Sequence, residues 1–194
     1  WRENGHYYLF IPKKLSWTRA IEQTGYFKLA GQQGYLATFS SMDERRYMQS
    51  LYNGIVWVGA TCLTWDDNTR LNNPTDKDFQ LKTLKNDRSK PYYWATGPEA
   101  GQVVEASAWN PGEPNKAADG SGGVWDNTLD HVQGSESCAD INGDYMNDIR
   151  EGNRHDAGAA MGFFVEFGGY ADGFDPGNPD NKLMGHQNVL VQPK

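Results

Sequence analysis

The chain has 194 residues, 38% of them hydrophobic and 13% aromatic with 7 Trp, which suffices for one domain with its own core and excludes a disordered chain. Its formal charge is -7 and its 18 Lys and Arg form no block, which excludes nucleic acid as a partner, because phosphate binding needs clustered cations; acidic loops suit cations better. Two cysteines, Cys62 and Cys138, allow at most one internal disulfide and exclude a cysteine-stapled scaffold.

The first third of the chain has clear periodicity. GHYYLFIP is aromatic and apolar and closes at Pro12, so it predicts a short strand. Ser16 is placed to cap SWTRAIEQT, where Trp17, Ala20 and Ile21 fall on one helical face. SSMDERRYMQSLYNG predicts a second helix, with Ser41 and Glu44 as a capping box, Tyr47, Met48 and Leu51 on one face, and a stop at Gly54.

After Gly54 the period changes. IVWVGAT is β-branched and aromatic and predicts a buried strand, and YYWAT, SCADI and GFFVEF predict further short strands between long polar stretches. Helices early and strands late make an α+β order. From Thr64 to Asn153 there is little periodicity, and loops this long in a compact domain are functional or disordered; Trp94, Trp109 and Trp125 argue for order. GGYADGFDPGNPDNK predicts a loop ahead of a last apolar stretch, NVLVQP. The apolar runs all fall short of the 18 or more residues a membrane span needs, so no membrane insertion is expected. Because it begins at Trp1 with no initiator Met, the chain reads as a segment of a larger multidomain protein.

Within the long loop, WNPGEPN sets Glu113 and Asn115 on either side of Pro114. An X-Pro bond in the cis form brings the flanking Cα atoms to about 2.9 Å, so that both side chains can point to one place. A carboxylate and an amide oxygen are hard ligands of the kind Ca²⁺ takes, in sets of roughly six to eight at about 2.3–2.6 Å. More donors lie in SESCADINGDYMNDI: Glu136, and the adjacent Asn147 and Asp148. Glu113, Asn115, Glu136, Asn147 and Asp148 could surround one ion and leave positions open. Two vicinal sugar hydroxyls can fill those positions, each giving a lone pair to the metal, a proton to a carboxylate and an acceptor to an Asn N–H. A stiff loop then lowers the ordering cost of binding.

The ordered series GYLATFSSMDERRYM, WVGAT, WNPGEPN, ESC, MNDI and GFFVEF, spanning Gly5 to Gly168, resembles the C-type lectin-like domain of the EPN type. The resemblance implies an α+β C-type lectin-like fold, with two helices flanking a small, mostly antiparallel sheet and a long calcium-binding loop region. It implies Ca²⁺ as cofactor and mannose, fucose, glucose or related sugars as partners. The family's metal and sugar ligands carry over to Glu113 and Asn115 of the EPN motif, to Glu136 two before a cysteine, and to the pair Asn147 and Asp148. Met146 stands where the family has Trp, and Val165 and Glu151 stand where it has cysteines. Cys138 matches a family cysteine; it either pairs with Cys62 or stays a buried thiol. KAADGSGGVWDNTLDHVQGS is an insertion at about 116–135 relative to compact members, and a C-terminal extension follows about 168, all within one domain over 1–194. Such disulfide-poor, inserted versions resemble those of bacterial proteins, including calcium-dependent surface adhesins, which implies an extracellular or cell-surface setting.

Simpler readings stand beside this one. Asp140, Asn142 and Asp144 alternate like the start of an EF-hand, but Gly143 comes too early and the distal Glu is missing. Asp66, Asp67, Asp119, Asp126 and Asp130 read as solvated loop acids, and Trp57 and Trp109 as core. Trp125 either stacks on sugar or anchors its loop. His6, His131, His155 and His186 show no metal spacing. With no G-x-S-x-G elbow and no P-loop, an enzyme is not expected; 25 acids make carboxylate pairs inevitable, so a glycosidase is the weakest alternative. A protein-binding or structural C-type lectin-like domain is the stronger one.

Overall fold

The computed structural model describes residues 5–29, 31–65, 84–86, 89–116, 125–126, 131–132, 136–150 and 160–168. β1 (Tyr7–Ile11) leads into α1 (Trp17–Thr24), three short strands β2 (Lys28–Leu29), β3 (Gln32–Gln33) and β4 (Tyr35–Leu36), and α2 (Met42–Leu51). Then come β5 (Val56–Thr61), β6 (Leu63–Trp65), β7 (Leu84–Asn86), β8 (Tyr93–Trp94) and a 3-10 turn at Ala106–Ala108. β9 (Trp125–Asp126), β10 (His131–Val132), β11 (Cys138–Asn142), β12 (Tyr145–Ile149) and β13 (Gly162–Phe167) complete the order. The seven-stranded sheet runs β1-β13-β5-β11-β12, with β4 added to β13 and β8 to β5. Only β13 and β5 pair in parallel within it, so the expected mostly antiparallel α+β arrangement holds.

The sheet is covered on both faces, which is why β5 and β13 are buried along their whole length and read as continuous apolar runs. One face packs Trp57, Phe163, Val165 and Phe167 against Trp17 and Ile21 of α1. The other packs Val56, Val58 and Phe164 with Met48 of α2 and with Trp94, Trp109 and Met146 from the loop side. Trp57 and Trp109 are core residues, as expected, at 0% and 5% exposure. Trp17 also donates its indole N–H to the carbonyl of Val58 at 2.8 Å, fixing α1 against the sheet. Gly59 has a packing reason: a Cβ there would lie 2.2 Å from Thr96 Oγ1 and 2.8 Å from the Leu36 carbonyl.

Both helices start at the expected serines. Ser16 Oγ accepts from Arg19 N at 3.4 Å, and Ser41 Oγ from Glu44 N at 3.2 Å. The rest of the α2 expectation needs correction. Glu44 does not complete a capping box with Ser41; its Oε2 takes the N–H of Ser40 at 2.7 Å, and the side chain is buried. Leu51 is 43% exposed, and the covered face is Glu44, Arg45 and Met48. The helix ends at Leu51, before Gly54, with an extended Tyr52 whose ring stacks on Phe10 at 3.9 Å. Tertiary partners, invisible in the helical repeat, set both the face and the end.

The reason Glu44 turns inward is a buried polar knot joining α2, β1 and β13. Glu166 pairs with His6 Nδ1, and its other oxygen accepts Thr38 N at 2.8 Å. Tyr8 OH donates to Glu44 Oε1 at 2.5 Å and to Glu166 Oε1 at 3.1 Å. Desolvation pulls the His6 pKa down, but hydrogen bonds and charge from Glu166 and Glu44 outweigh it and hold it up at about 9. Desolvation likewise pushes Glu44 up, and its bonds to His6, Tyr8 and Ser40 overcome this and lower it to about 2.

Cys62 and Cys138 are both free and buried, which overturns a Cys62–Cys138 bond. They belong to different clusters of the core. The C-terminal extension, with NVLVQP, and the acids Asp66, Asp67, Asp119 and Asp130 lie outside the described residues.

Candidate functional site

The proline loop is docked on β12 by its backbone. Asn110 N donates to the Met146 carbonyl at 2.9 Å, and Trp109 and Met146 form a parallel bridge. Both side chains are buried, so Met146 fills core space in a position where the sequence resemblance implied Trp. Tyr92 packs edge-on against Trp109 at 4.8 Å and closes this corner.

From that anchor the chain turns back on itself. Glu113 N donates to the Asn110 carbonyl at 2.9 Å, Gly112 takes the turn at φ +95, and the Glu113–Pro114 bond is cis. Asn115 Nδ2 then lies 2.9 Å from Glu113 Oε1, and Asn115 N lies 2.8 Å from Glu113 Oε2. The two side chains flanking Pro114 therefore converge, as the loop's stiffness led us to expect.

Asp148 comes from β12 and faces the same loop. Its Oδ1 accepts Asn115 N at 3.2 Å, and its Oδ2 accepts Lys116 N at 2.8 Å and Tyr92 OH at 3.0 Å. Lys116 is held in the left-handed region at φ 51, which lets two successive N–H groups reach one carboxylate. Partial burial, followed by contact with Asp148, raises the pKa of Glu113, since two carboxyl groups set against each other disfavour a second charge.

Asn147 and Asp140 are cross-strand partners in the β11–β12 ladder. Asn147 Nδ2 donates to the Asp148 carbonyl at 2.9 Å and lies 3.5 Å from Asp140 Oδ2. Asp140 is fully buried, and its Oδ1 has no hydrogen-bond partner. Burial above all pushes its carboxyl up to about 7, with the charges of Asp148 and Glu136 adding to the rise. Glu136 stands half-buried at the entry to β11, beside Ser137, whose N–H donates to the Ile149 carbonyl at 3.2 Å. Glu113, Asn115 and Asp148 thus share hydrogen bonds, Asn147 joins through the Asp148 backbone, and Glu136 acts on the group through its charge at Asp140.

The sequence reading missed two features. Asp140 does not belong to an EF-hand-like loop: Asp140 and Asn142 both lie in β11, and Asp144 is exposed in the hairpin turn that follows. Gly143-Asp144 between two strand-like runs was the hairpin signal that would have paired Asp140 with Asn147. His6 was set aside for lack of metal spacing, yet its ring nitrogen and oxygens of Glu44 and Glu166 lie within 4.8 Å of one another. Their sequence separation gave no local signal. Hydrogen bonds from Tyr8, Ser40 and Thr38 engage these carboxylates, which makes the group a structural knot.

No protein-family model matches the chain. Among curated proteins it is similar to Halomucin of Haloquadratum walsbyi, 26% identical over 197 residues that make up 97% of this chain and 2% of that protein. It is also similar to the type-2 ice-structuring protein of Hemitripterus americanus, 38% identical over 61 residues, 28% of this chain and 36% of that protein. The chain spans well under half the length of these curated relatives. Among solved structures it is similar to the C-type lectin CEL-I from Cucumaria echinata, 14% identical, covering 85% of this chain and 91% of that one, with a TM-score of 0.50. The likeness is one of fold, and the fold is C-type lectin-like.

Proposed function

We propose that the chain is a Ca²⁺-dependent carbohydrate-binding module that takes vicinal hydroxyls of mannose, fucose or glucose-type sugars and serves adhesion at a cell surface, without a catalytic step. The observation that carries this reading is the meeting of Glu113, Asn115 and Asp148 from two segments that the sequence separates. Two carboxylates that take one backbone N–H, that of Asn115, together with a buried acid that has an unpartnered oxygen, offer a set of hard oxygens. Glu113, Asn115, Glu136, Asn147 and Asp148 are the residues we assign to metal and sugar together. When bound, Ca²⁺ would supply positive charge and open positions for two hydroxyls.

The chain's own part is to hold these oxygens in place beforehand. Backbone N–H groups of Asn115 and Lys116 orient Asp148, and the Asn115 carboxamide orients Glu113, so little ordering is left for the binding step. An exposed single site of this kind binds sugar weakly, and adhesion then depends on many copies or many glycans. Similarity to a small part of a much longer curated protein supports a module within a larger chain.

One observation favours the second reading, a protein-binding or structural domain: Asp148 closes the loop through hydrogen bonds of its own. A glycosidase stays the weakest alternative, because 25 acids make carboxylate pairs inevitable and no pair is singled out by its setting. Retention on mannose or fucose resin with Ca²⁺, followed by elution with a chelator, tests the proposal. Retention that ignores the chelator overturns the metal-bridged mechanism, and no retention in either buffer favours the second reading.

A further inference from the structure

We infer that Asp140 is a positioning residue of the cation site: it turns the Asn147 carboxamide so that its oxygen faces the ion, and it places a negative charge beneath it. This rests on the Ca²⁺ reading above. Asp140 and Asn147 sit opposite each other in the β11–β12 register, so their side chains share one face of the ladder. The Asn147 nitrogen meets two acceptors, the Asp148 carbonyl at 2.9 Å and Asp140 Oδ2 at 3.5 Å. Reversing the amide would set oxygen against oxygen at both, so the nitrogen stays inward and the amide oxygen is the atom left for a ligand.

Asp140 is costly where it is. It is 0% exposed, its Oδ1 has no partner, and the next strand places Trp57 in register with it, surroundings that suit an apolar side chain. Stability alone would favour an apolar or neutral side chain at such a position, so the fold without a ligand gains nothing from the acid. A cation held by Asn147 would supply what the orphaned oxygen lacks, because Asn147 is the side chain that lies against Asp140.

The test uses the full chain and two variants, Asp140→Asn and Asp140→Ala, with calorimetric titration of CaCl₂ and thermal unfolding in chelator. Partners of metal ligands are typically worth about 10–100-fold in affinity. Asp140→Ala should weaken Ca²⁺ binding by about that factor, and Asp140→Asn, which keeps an acceptor for Asn147 but loses the charge, should fall between it and wild type. In chelator both variants should melt at or above the wild-type temperature, since a buried unpartnered charge has been removed. Ca²⁺ affinities within twofold of wild type for both variants overturn the inference, as does a lower melting temperature for Asp140→Asn in chelator, which marks a purely structural role. Wild type that takes up no Ca²⁺ overturns the cation reading itself, and the inference with it.

Discussion

Asn115 donates its backbone N–H to Asp148 Oδ1 at 3.2 Å, and this bond joins the proline loop to β12. Asp148 is 1% exposed and also takes Lys116 N and Tyr92 OH, so Asp148→Ala leaves several donors without an acceptor. We expect a loss of about 1–3 kcal/mol in denaturant unfolding. Hydrogen exchange at the amides of Asn115 and Lys116 should accelerate, while the amides of α1 are unchanged; equal acceleration in α1 would show that the loop is not the unit affected.

Stability should depend on pH through the knot of His6, Glu44 and Glu166. His6 is raised from its ordinary 6.5 to about 9, so its contribution is complete below 6.5 and is lost as pH rises through about 9. Glu44 is lowered from 4.5 to about 2, so its contribution is complete above 4.5 and is lost as pH falls through about 2. Melting temperatures should therefore show a plateau between about 4.5 and 6.5 from this pair, declining on both sides. In His6→Asn the decline through pH 9 should disappear; its persistence would assign the alkaline limb to another group.

Met48 and Leu51 both belong to the apolar face read from the helical repeat, but they occupy different environments. Met48 is 0% exposed, so Met48→Ala should cost about 2–5 kcal/mol. Leu51 is 43% exposed, so Leu51→Ala should stay within about 0.5 kcal/mol. Equal costs in urea unfolding would contradict the packing of α2.

Both thiols should be slow to react in the native protein, and burial pushes Cys62 up to about 11, further from the reactive thiolate. Titration with a thiol reagent should find two free groups on denaturation without reductant. Finding none would mean a disulfide in place of the two free, buried thiols.

Much of this fold is written in local pattern. Ser16 and Ser41 mark helix starts, and the runs at Val56–Thr61 and Gly162–Phe167 are unbroken because both faces of the sheet are covered. The convergence of Glu113 and Asn115 was legible because proline and glycine restrict the loop itself. Residues whose roles depend on distant partners were not legible. Glu44 is drawn inward by His6 and Tyr8, a relation no helical period encodes. Asp140 was hidden for a different reason: its partner is set by strand register, and a single-residue slip would have sent it to the other face.

The central claim is that acids and amides from the proline loop and from β12 hold one Ca²⁺ that a sugar then shares. A crystal structure grown with CaCl₂ and methyl mannoside, with anomalous scattering to identify the ion, tests it most directly. We predict one Ca²⁺ at about 2.3–2.6 Å from oxygens of Glu113, Asn115, Glu136, Asn147 and Asp148, with two vicinal sugar hydroxyls in its remaining positions. Sugar bound with no ion at these residues, or Ca²⁺ bound only elsewhere, would contradict it.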